Sequence, residues 1–205
     1  MKKSNFFTEL PKDYQKVYHL NARSAKVGIV FTIASLVMTL AVILPCVLAV
    51  SFSFSISGSE ILVTLLVFIA CIFAYVVLHE LVHGIAYKAL TGSKLTFGIT
   101  LTVAFCGVPD IYVTRKTALI ALLAPFTVFS VLFCALAVWL YFIGSVYYYA
   151  VIMLSGLHFG GCVGDLYTAI LLFTKYRDSR LLMRDIGPEQ MFYLPEDNSI
   201  TLVKA

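Results

Sequence analysis

Charged residues are scarce in this chain of 205 residues: they make up 13% of it, while apolar residues make up 60%. Soluble domains contain about 25% charged and about 45–50% apolar residues. The apolar excess cannot be hidden in a core, because a domain of this size still exposes much of its surface to water. The composition therefore excludes an ordinary soluble domain, a disordered chain and a coiled coil, and it predicts a protein that lies in a lipid bilayer.

Paired cysteines are also lacking. The five cysteines stand singly, no C-x-x-C pair occurs and their number is odd, so the sequence supports neither a disulfide scaffold nor a cysteine zinc knuckle. We expect them to be small apolar core residues. Gly-rich phosphate loops and nucleic-acid-binding modules are missing as well, so no nucleic acid is expected among the partners.

Four apolar stretches are long enough to span about 30 Å of hydrocarbon. They cover about residues 27–50, 61–90, 117–143 and 146–174. Of the fifteen lysines and arginines, six precede the first span, four lie at the end of the second span and in the connection to the third, and five follow the fourth. The two remaining connections have none. Under the positive-inside rule, both termini and the middle connection are therefore cytoplasmic.

The middle connection has the pattern of a β-strand. Apolar residues alternate with small or polar ones from Leu95 to Phe105, and this period of two is typical of strands. The segment 107–110 has the composition of a turn, and 111–114 is predicted to be the return strand of a hairpin. Such a hairpin must be shielded by helices or line a wet cavity, because unpaired strand edges do not occur in lipid.

We therefore predict an all-α polytopic membrane protein with four transmembrane helices. A membrane-associated β-hairpin at about 95–114 lies between the second helix and the third. The predicted parts are a basic cytoplasmic segment at 1–26, the membrane domain at 27–174 and a cytoplasmic tail at 175–205. The expected location is the cell membrane, which the chain crosses several times.

The second span ends in an H-E-x-x-H motif, formed by His79, Glu80 and His83. Spacing of four residues puts both imidazoles on one helical face, where they can bind a single Zn²⁺, and it leaves Glu80 placed to act as general base toward the attacking water. From the numbers of His and Glu in this chain, the motif is expected about 0.002 times by chance. Ionisable groups in a membrane cost about 2.5–3.5 kcal/mol each. Zinc binding returns about 10–16 kcal/mol, so a metal site is favoured over mutual hydrogen bonding.

A catalytic zinc ion usually has three protein ligands and one open position. The candidates for the third ligand are Asp165 and His158 in the fourth span and Asp110 in the turn. His79 and Asp165 each lie about 18 residues, or about 27 Å, from the outer ends of their spans, which favours Asp165, whereas His158 lies about 10 Å nearer the middle of the bilayer. His158 then has three candidate roles: a hydrogen bond to the developing oxyanion, orientation of a metal ligand, or a helix-packing contact.

These elements resemble a known family. An H-E-x-x-H motif late in a transmembrane helix, then a strand pair, then two spans ending in Gly164-Asp165-Leu166, is similar to the small bacterial putative-zincin membrane metallopeptidases. That family is related to the site-2 proteases, which are intramembrane zinc metallopeptidases. The resemblance covers about residues 61–174. In the site-2 protease pattern an asparagine precedes the ligand aspartate, and His158 stands roughly in its place.

The resemblance implies that His79, His83 and Asp165 bind zinc, that Glu80 activates the water and that an edge of the hairpin holds substrate as an added strand. With His158 taken as the second catalytic residue beside Glu80, the prediction is a zinc metalloendopeptidase of the site-2-protease type. It is expected to cut membrane-protein or remnant-peptide substrates near the cytoplasmic face, with Zn²⁺ as cofactor.

Two alternatives belong to other classes. One is a zinc-containing adaptor or chaperone that binds membrane peptides without cutting them. The other is a zinc or small-solute transporter, which the absence of visible repeat symmetry disfavours.

Overall fold

The computed structural model describes residues 4–50, 58–100 and 104–196. The predicted connection at 51–60 falls largely outside these residues, as do positions 101–103 of the predicted strand and positions 197–205 of the predicted tail. The helices are α1 (Ala25–Ala49), α2 (Gly58–Thr91), α3 (Arg115–Phe142), α4 (Tyr147–Gly161) and α5 (Val163–Thr174). The strands are β1 (Phe6–Phe7), β2 (Tyr14–Asn21), β3 (Thr96–Ile99), β4 (Ala104–Gly107), β5 (Tyr112–Thr114), β6 (Leu182–Asp185) and β7 (Glu189–Pro195).

Three of the four predicted spans are single helices. α1, the part of α2 from Ile61 to Thr91, and α3 are each long and apolar enough to cross a membrane. The predicted fourth span is instead the pair α4 and α5, bent by 46° at Cys162. The described part of the chain therefore has three helices of this kind, or four if the bent pair is one span. α1 has no buried residue, as expected of a helix whose apolar side chains face lipid.

The prediction of an all-α protein is wrong, because five strands form one antiparallel sheet in the order β1-β5-β6-β7-β2. The N-terminal segment contributes β1 and β2, and the predicted tail contributes β6 and β7. β6 and β7 form a hairpin across residues 186–188. The other three pairings of this sheet join segments that are distant in sequence, so no hairpin signal marks them. In the longest, β2, the register shifts between Lys16 and Tyr18, and such an irregularity interrupts the period of two that reveals a strand.

The predicted hairpin also pairs differently from the expectation. β3 pairs with β4, from Thr96 opposite Gly107 to Ile99 opposite Ala104, so the two halves of the predicted first strand form the hairpin between themselves. The predicted return strand is β5, which pairs with β1 and β6. Alternation continues through both halves of 95–105 in the sequence, and the alternation alone therefore does not mark where the chain reverses.

The fold divides into two compact units. The first comprises Met1–Ile29, Glu80–Pro125 and Asp165–Ala205, and the second comprises Val30–His79 and Phe126–Gly164. In the first unit the core joins the five-stranded sheet to the helices. Its largest fully buried side chains are Tyr87, Leu122, Leu172, Leu181, Met183, Phe192 and Leu194.

In the second unit, glycines let α4 lie close to α1. A Cβ on Gly156 would meet Ile43 Cγ1 at 2.6 Å, and one on Gly160 would meet the Ser35 carbonyl oxygen at 2.7 Å. The same approach allows the Thr39 hydroxyl to donate to the Gly156 carbonyl at 3.0 Å. Small residues at these positions thus permit the close helix packing that is typical of membrane helices.

Candidate metal centre

One face of α2 presents a stripe of four buried polar side chains. Tyr75, His79, His83 and Tyr87 follow one another at intervals of four residues, and all four are buried. An interval of four residues stacks side chains on one helical face. The two histidines were predicted from the motif and the two tyrosines were not, although their four-residue spacing on either side of the motif is a visible signal.

In the first unit, His83 contacts Asp165. His83 Nε2 lies 3.3 Å from Asp165 Oδ2, and His83 Nδ1 lies 2.8 Å from the carbonyl oxygen of Ala121. A carbonyl only accepts, so Nδ1 carries a proton and donates it. Nε2 is then the nitrogen that faces the carboxylate, and in the neutral ring it is the one that can bind a metal ion. Asp165 lies in the first turn of α5, just after the bend at Cys162. The helix after the bend therefore begins close to Asp165, the third ligand that is favoured by its expected depth in the membrane.

Glu80 follows His79 on α2 and is half-buried. It lies near enough to His83 to interact with it electrostatically. The remaining candidate ligand of the sequence analysis, Asp110, is exposed. Among the described residues, His83 thus has the carboxylate of Glu80 near it on α2 and that of Asp165 near it on α5.

In the second unit, the Tyr75 hydroxyl joins two histidines. It lies 3.1 Å from His79 Nδ1 and 2.9 Å from His158 Nδ1. His158 Nε2 lies 3.1 Å from the Ser130 hydroxyl, and Cys162 Sγ lies 3.5 Å from His158 Nδ1. The ligand atoms of His79, His158 and Cys162 lie within 4.8 Å of one another. The Tyr75 hydroxyl already forms hydrogen bonds with the Nδ1 atoms of both histidines. Zinc binds nitrogen and sulfur at about 2.0–2.3 Å, so an ion bound to these atoms would have to displace the hydroxyl.

His158 is enclosed by aromatic rings and has no exposed surface. Its ring centroid lies 5.3–6.1 Å from those of four phenylalanines, and the nearest is that of its neighbour in sequence. These residues are Phe126, Phe129, Phe133 and Phe159. Enclosure of this kind holds the imidazole in one orientation.

A buried carboxylate at the end of the stripe was not predicted. Asp185, in β6, is 3% exposed; its Oδ2 accepts a hydrogen bond of 2.6 Å from the Tyr87 hydroxyl and its Oδ1 one of 2.9 Å from the Gly187 N–H. Burial raises the pKa of Asp185 to about 6, although both hydrogen bonds act to lower it. No local sequence signal marks Asp185, because only the pairing of β6 in the sheet brings it to α2.

Asp185→Asn is expected to make stability less dependent on pH. The pKa of the carboxyl rises on folding, so its stabilising contribution is complete below about pH 4 and is lost as the pH rises through about 6. Asparagine stays neutral and can still accept from Gly187 and donate to the Tyr87 hydroxyl. The variant should therefore gain stability relative to the wild type between pH 4.5 and 7.5, by at most about 3 kcal/mol.

The measurement is the apparent melting temperature of metal-free protein in detergent at both pH values. Asp13→Asn, at an exposed position, is the matched control and should follow the wild type. An Asp185→Asn variant that also follows the wild type at both pH values would contradict the shifted pKa.

The donor set suits zinc. Two imidazoles from an i, i+4 pair on a helix, together with a carboxylate oxygen, are among the ligand sets of catalytic zinc sites. The Nδ1 atom of each α2 histidine is hydrogen-bonded, to Tyr75 in one case and to the Ala121 carbonyl in the other. Metal-binding histidines are oriented in this way, with one ring nitrogen held by a protein group and the other directed at the ion.

The fold combines three or four helices that are long and apolar enough to cross a membrane with a helix that carries the H-E-x-x-H motif typical of zincins. A comparison with protein-family models finds a match, described as putative zincin peptidase, over residues 72–180. The match covers more than half of the chain, so the chain belongs to the putative zincin peptidase family, and membership indicates zinc metallopeptidase activity. Neither the curated proteins nor the solved structures yielded a match.

Proposed function

We propose that this protein is a membrane-embedded zinc metalloendopeptidase of the site-2-protease type. The observation that carries the proposal is the buried stripe of α2, on which His83 contacts Asp165 and His79 lies one turn earlier on the same face. We assign His79, His83 and Asp165, two imidazoles and one carboxylate, as the ligands of the zinc ion. Membership of the zincin family supports the same assignment.

The residues of the chain have separate roles in the proposed reaction. Zinc held by these residues would supply Lewis acidity to the scissile carbonyl and to the attacking water. Glu80 accepts a proton from the attacking water and passes it to the leaving amine as the carbon–nitrogen bond breaks. The Ala121 carbonyl holds the His83 ring in place from behind. Asp165 lies on α5 and Glu80 lies on α2. Asp165 can therefore bind the metal while Glu80 transfers protons.

The substrate is proposed to add as a strand to β3. The exposed side chains of this strand include Phe97 and Ile99. β3 also packs on α2 beside the motif: a Cβ on Gly84, the residue after His83, would lie 2.7 Å from Phe97 Cζ. A peptide hydrogen-bonded along β3 would be held by its main chain, which suits substrates of varied sequence.

We further propose that the protein lies in the cell membrane with both termini cytoplasmic, and that its substrates are membrane proteins or remnant peptides cut near the cytoplasmic face. Three helices, or four with the bent pair, that are long and apolar enough to span a membrane support this location. The distribution of basic residues supports the orientation. A hydrophobic substrate segment would reach the centre through the same bilayer.

Removal of metal is expected to abolish cleavage reversibly. Detergent-purified protein is incubated with peptides from transmembrane segments, and products are identified by mass spectrometry. Treatment with 1,10-phenanthroline should stop product formation, and one equivalent of Zn²⁺, but not Mg²⁺, should restore it.

Two results would contradict the proposal and identify its rivals. Peptides that bind the zinc-loaded protein and stay uncut would indicate an adaptor or chaperone. Uptake of zinc into proteoliposomes that contain the protein would indicate a transporter.

A further inference from the structure

The polar network behind His79 has a defined direction of hydrogen bonding. His158 Nδ1 faces both the Tyr75 hydroxyl, at 2.9 Å, and the Cys162 thiol, at 3.5 Å. A lone pair on Nδ1 can accept from these groups, whereas the Ser130 hydroxyl, 3.1 Å from Nε2, can accept from an N–H. We therefore place the proton of the neutral ring on Nε2.

This direction fixes the proton on His79. With Nε2 protonated, His158 Nδ1 is an acceptor, and the Tyr75 hydroxyl donates to it across 2.9 Å. A hydroxyl has one proton, so toward His79 Nδ1, at 3.1 Å, the Tyr75 oxygen can only accept. His79 Nδ1 is then the protonated nitrogen, and the lone pair of the ring lies on Nε2.

We infer that Tyr75 and His158 are positioning residues that hold His79 in the tautomer and orientation in which Nε2 binds zinc; this inference rests on the function proposed above. In this arrangement His158 acts on His79 indirectly, by accepting the hydrogen bond of the Tyr75 hydroxyl. Complete burial among phenylalanine rings agrees with that role, since the imidazole has no exposed surface with which to meet a substrate. The arrangement matches that of His83, whose Nδ1 is held by the Ala121 carbonyl.

The inference is tested on metal binding, which does not require that a substrate be known. The full-length wild type and its Tyr75→Phe and His158→Ala variants are stripped of metal in detergent. Zinc affinity is measured by competition with a chromophoric chelator, and Co²⁺ absorption spectra report the geometry of the site. Loss of a group that orients a metal ligand typically costs about 10–100-fold in affinity, and both variants should lose affinity in this range with altered Co²⁺ bands.

Three further variants separate this role from a merely structural one. The double variant Tyr75→Phe/His158→Ala should bind zinc no more weakly than Tyr75→Phe alone, because His158 acts through Tyr75. His158→Asn should recover most of the affinity, since its amide oxygen can accept from the Tyr75 hydroxyl. Tyr148→Phe is the matched control: it removes a hydroxyl of the same unit, 3.5 Å from the Cys46 carbonyl, and should bind zinc like the wild type.

The outcomes distinguish this inference from the proposed function. Wild-type affinity in Tyr75→Phe, or losses that multiply in the double variant, would overturn the inference and leave the peptidase proposal intact. Reduced affinity with the expected cycle, in a protein that binds zinc and cuts no peptide, would support the inference and reject the peptidase. A wild type without zinc affinity would overturn both.

Discussion

Glu80→Gln should bind zinc like the wild type and cleave peptides about 10²–10⁴-fold more slowly, the range that a general acid–base group contributes. Glutamine keeps the shape of the side chain but cannot accept the proton of the attacking water. The three proposed ligands, His79, His83 and Asp165, are unchanged, so the metal should remain. The measurements are zinc per chain and the rate of product formation on a transmembrane peptide.

Glu189→Gln is the matched control for this experiment. Glu189 Oε2 lies 2.8 Å from His19 Nε2 at the surface of the five-stranded sheet, and exposed pairs of this kind contribute little to stability. The control should retain both zinc and activity. Equal rates in Glu80→Gln and the wild type would remove Glu80 from the mechanism, whereas a loss of zinc in Glu80→Gln would mean that Glu80 contributes to binding the metal.

The placement of His79 and His83 on one face of α2 was predictable because the motif is local. Within one helix, spacing fixes which side chains share a face, and the stripe on α2 follows from that rule alone. The contact between His83 and Asp165 needed one further assumption, that both lie at the same depth in the membrane. Spans of predicted direction supply it, since each residue of a helix advances by about 1.5 Å.

Parts of the fold that depend on pairing between distant segments were not predictable in this way. β1 and β6 both pair with β5, but in the sequence β1 precedes the helices α1 to α5 and β6 follows them. No period in either segment shows the partner. The same reason explains why Asp185 was missed: its neighbour Tyr87 lies on a helix almost a hundred residues earlier.

The break between α4 and α5 is another difference between the predicted fold and the structure. The segment 146–174 has the composition of one span, and composition is all that hydropathy measures. The bend of 46° lies at Cys162, after two successive glycines, a pair that favours kinks. Asp165 consequently belongs to the first turn of a new helix, where a negative charge interacts favourably with the helix dipole.

Asp165→Ala is expected to lose zinc, and with it all cleavage. A site with three protein ligands that loses one retains only the two imidazoles of α2, and the loss of affinity should exceed the about 10–100-fold that an outer partner costs. The carboxylate of Asp165 also faces His83 at 3.3 Å, so the variant removes the anionic partner of that ring. Zinc per chain after gel filtration in detergent is the measurement, with the melting temperature of the metal-free protein as the check on folding.

Asp110→Ala is the control that the sequence itself supplies, because Asp110 was the other carboxylate considered as third ligand. Its side chain is exposed, and the variant should retain about one zinc ion per chain. The opposite result, zinc kept in Asp165→Ala and lost in Asp110→Ala, would transfer the third ligand to the segment between β4 and β5. Zinc kept in both variants would leave α2 as the only proven contributor, and the bend at Cys162 would then need a different explanation from the placement of a metal ligand.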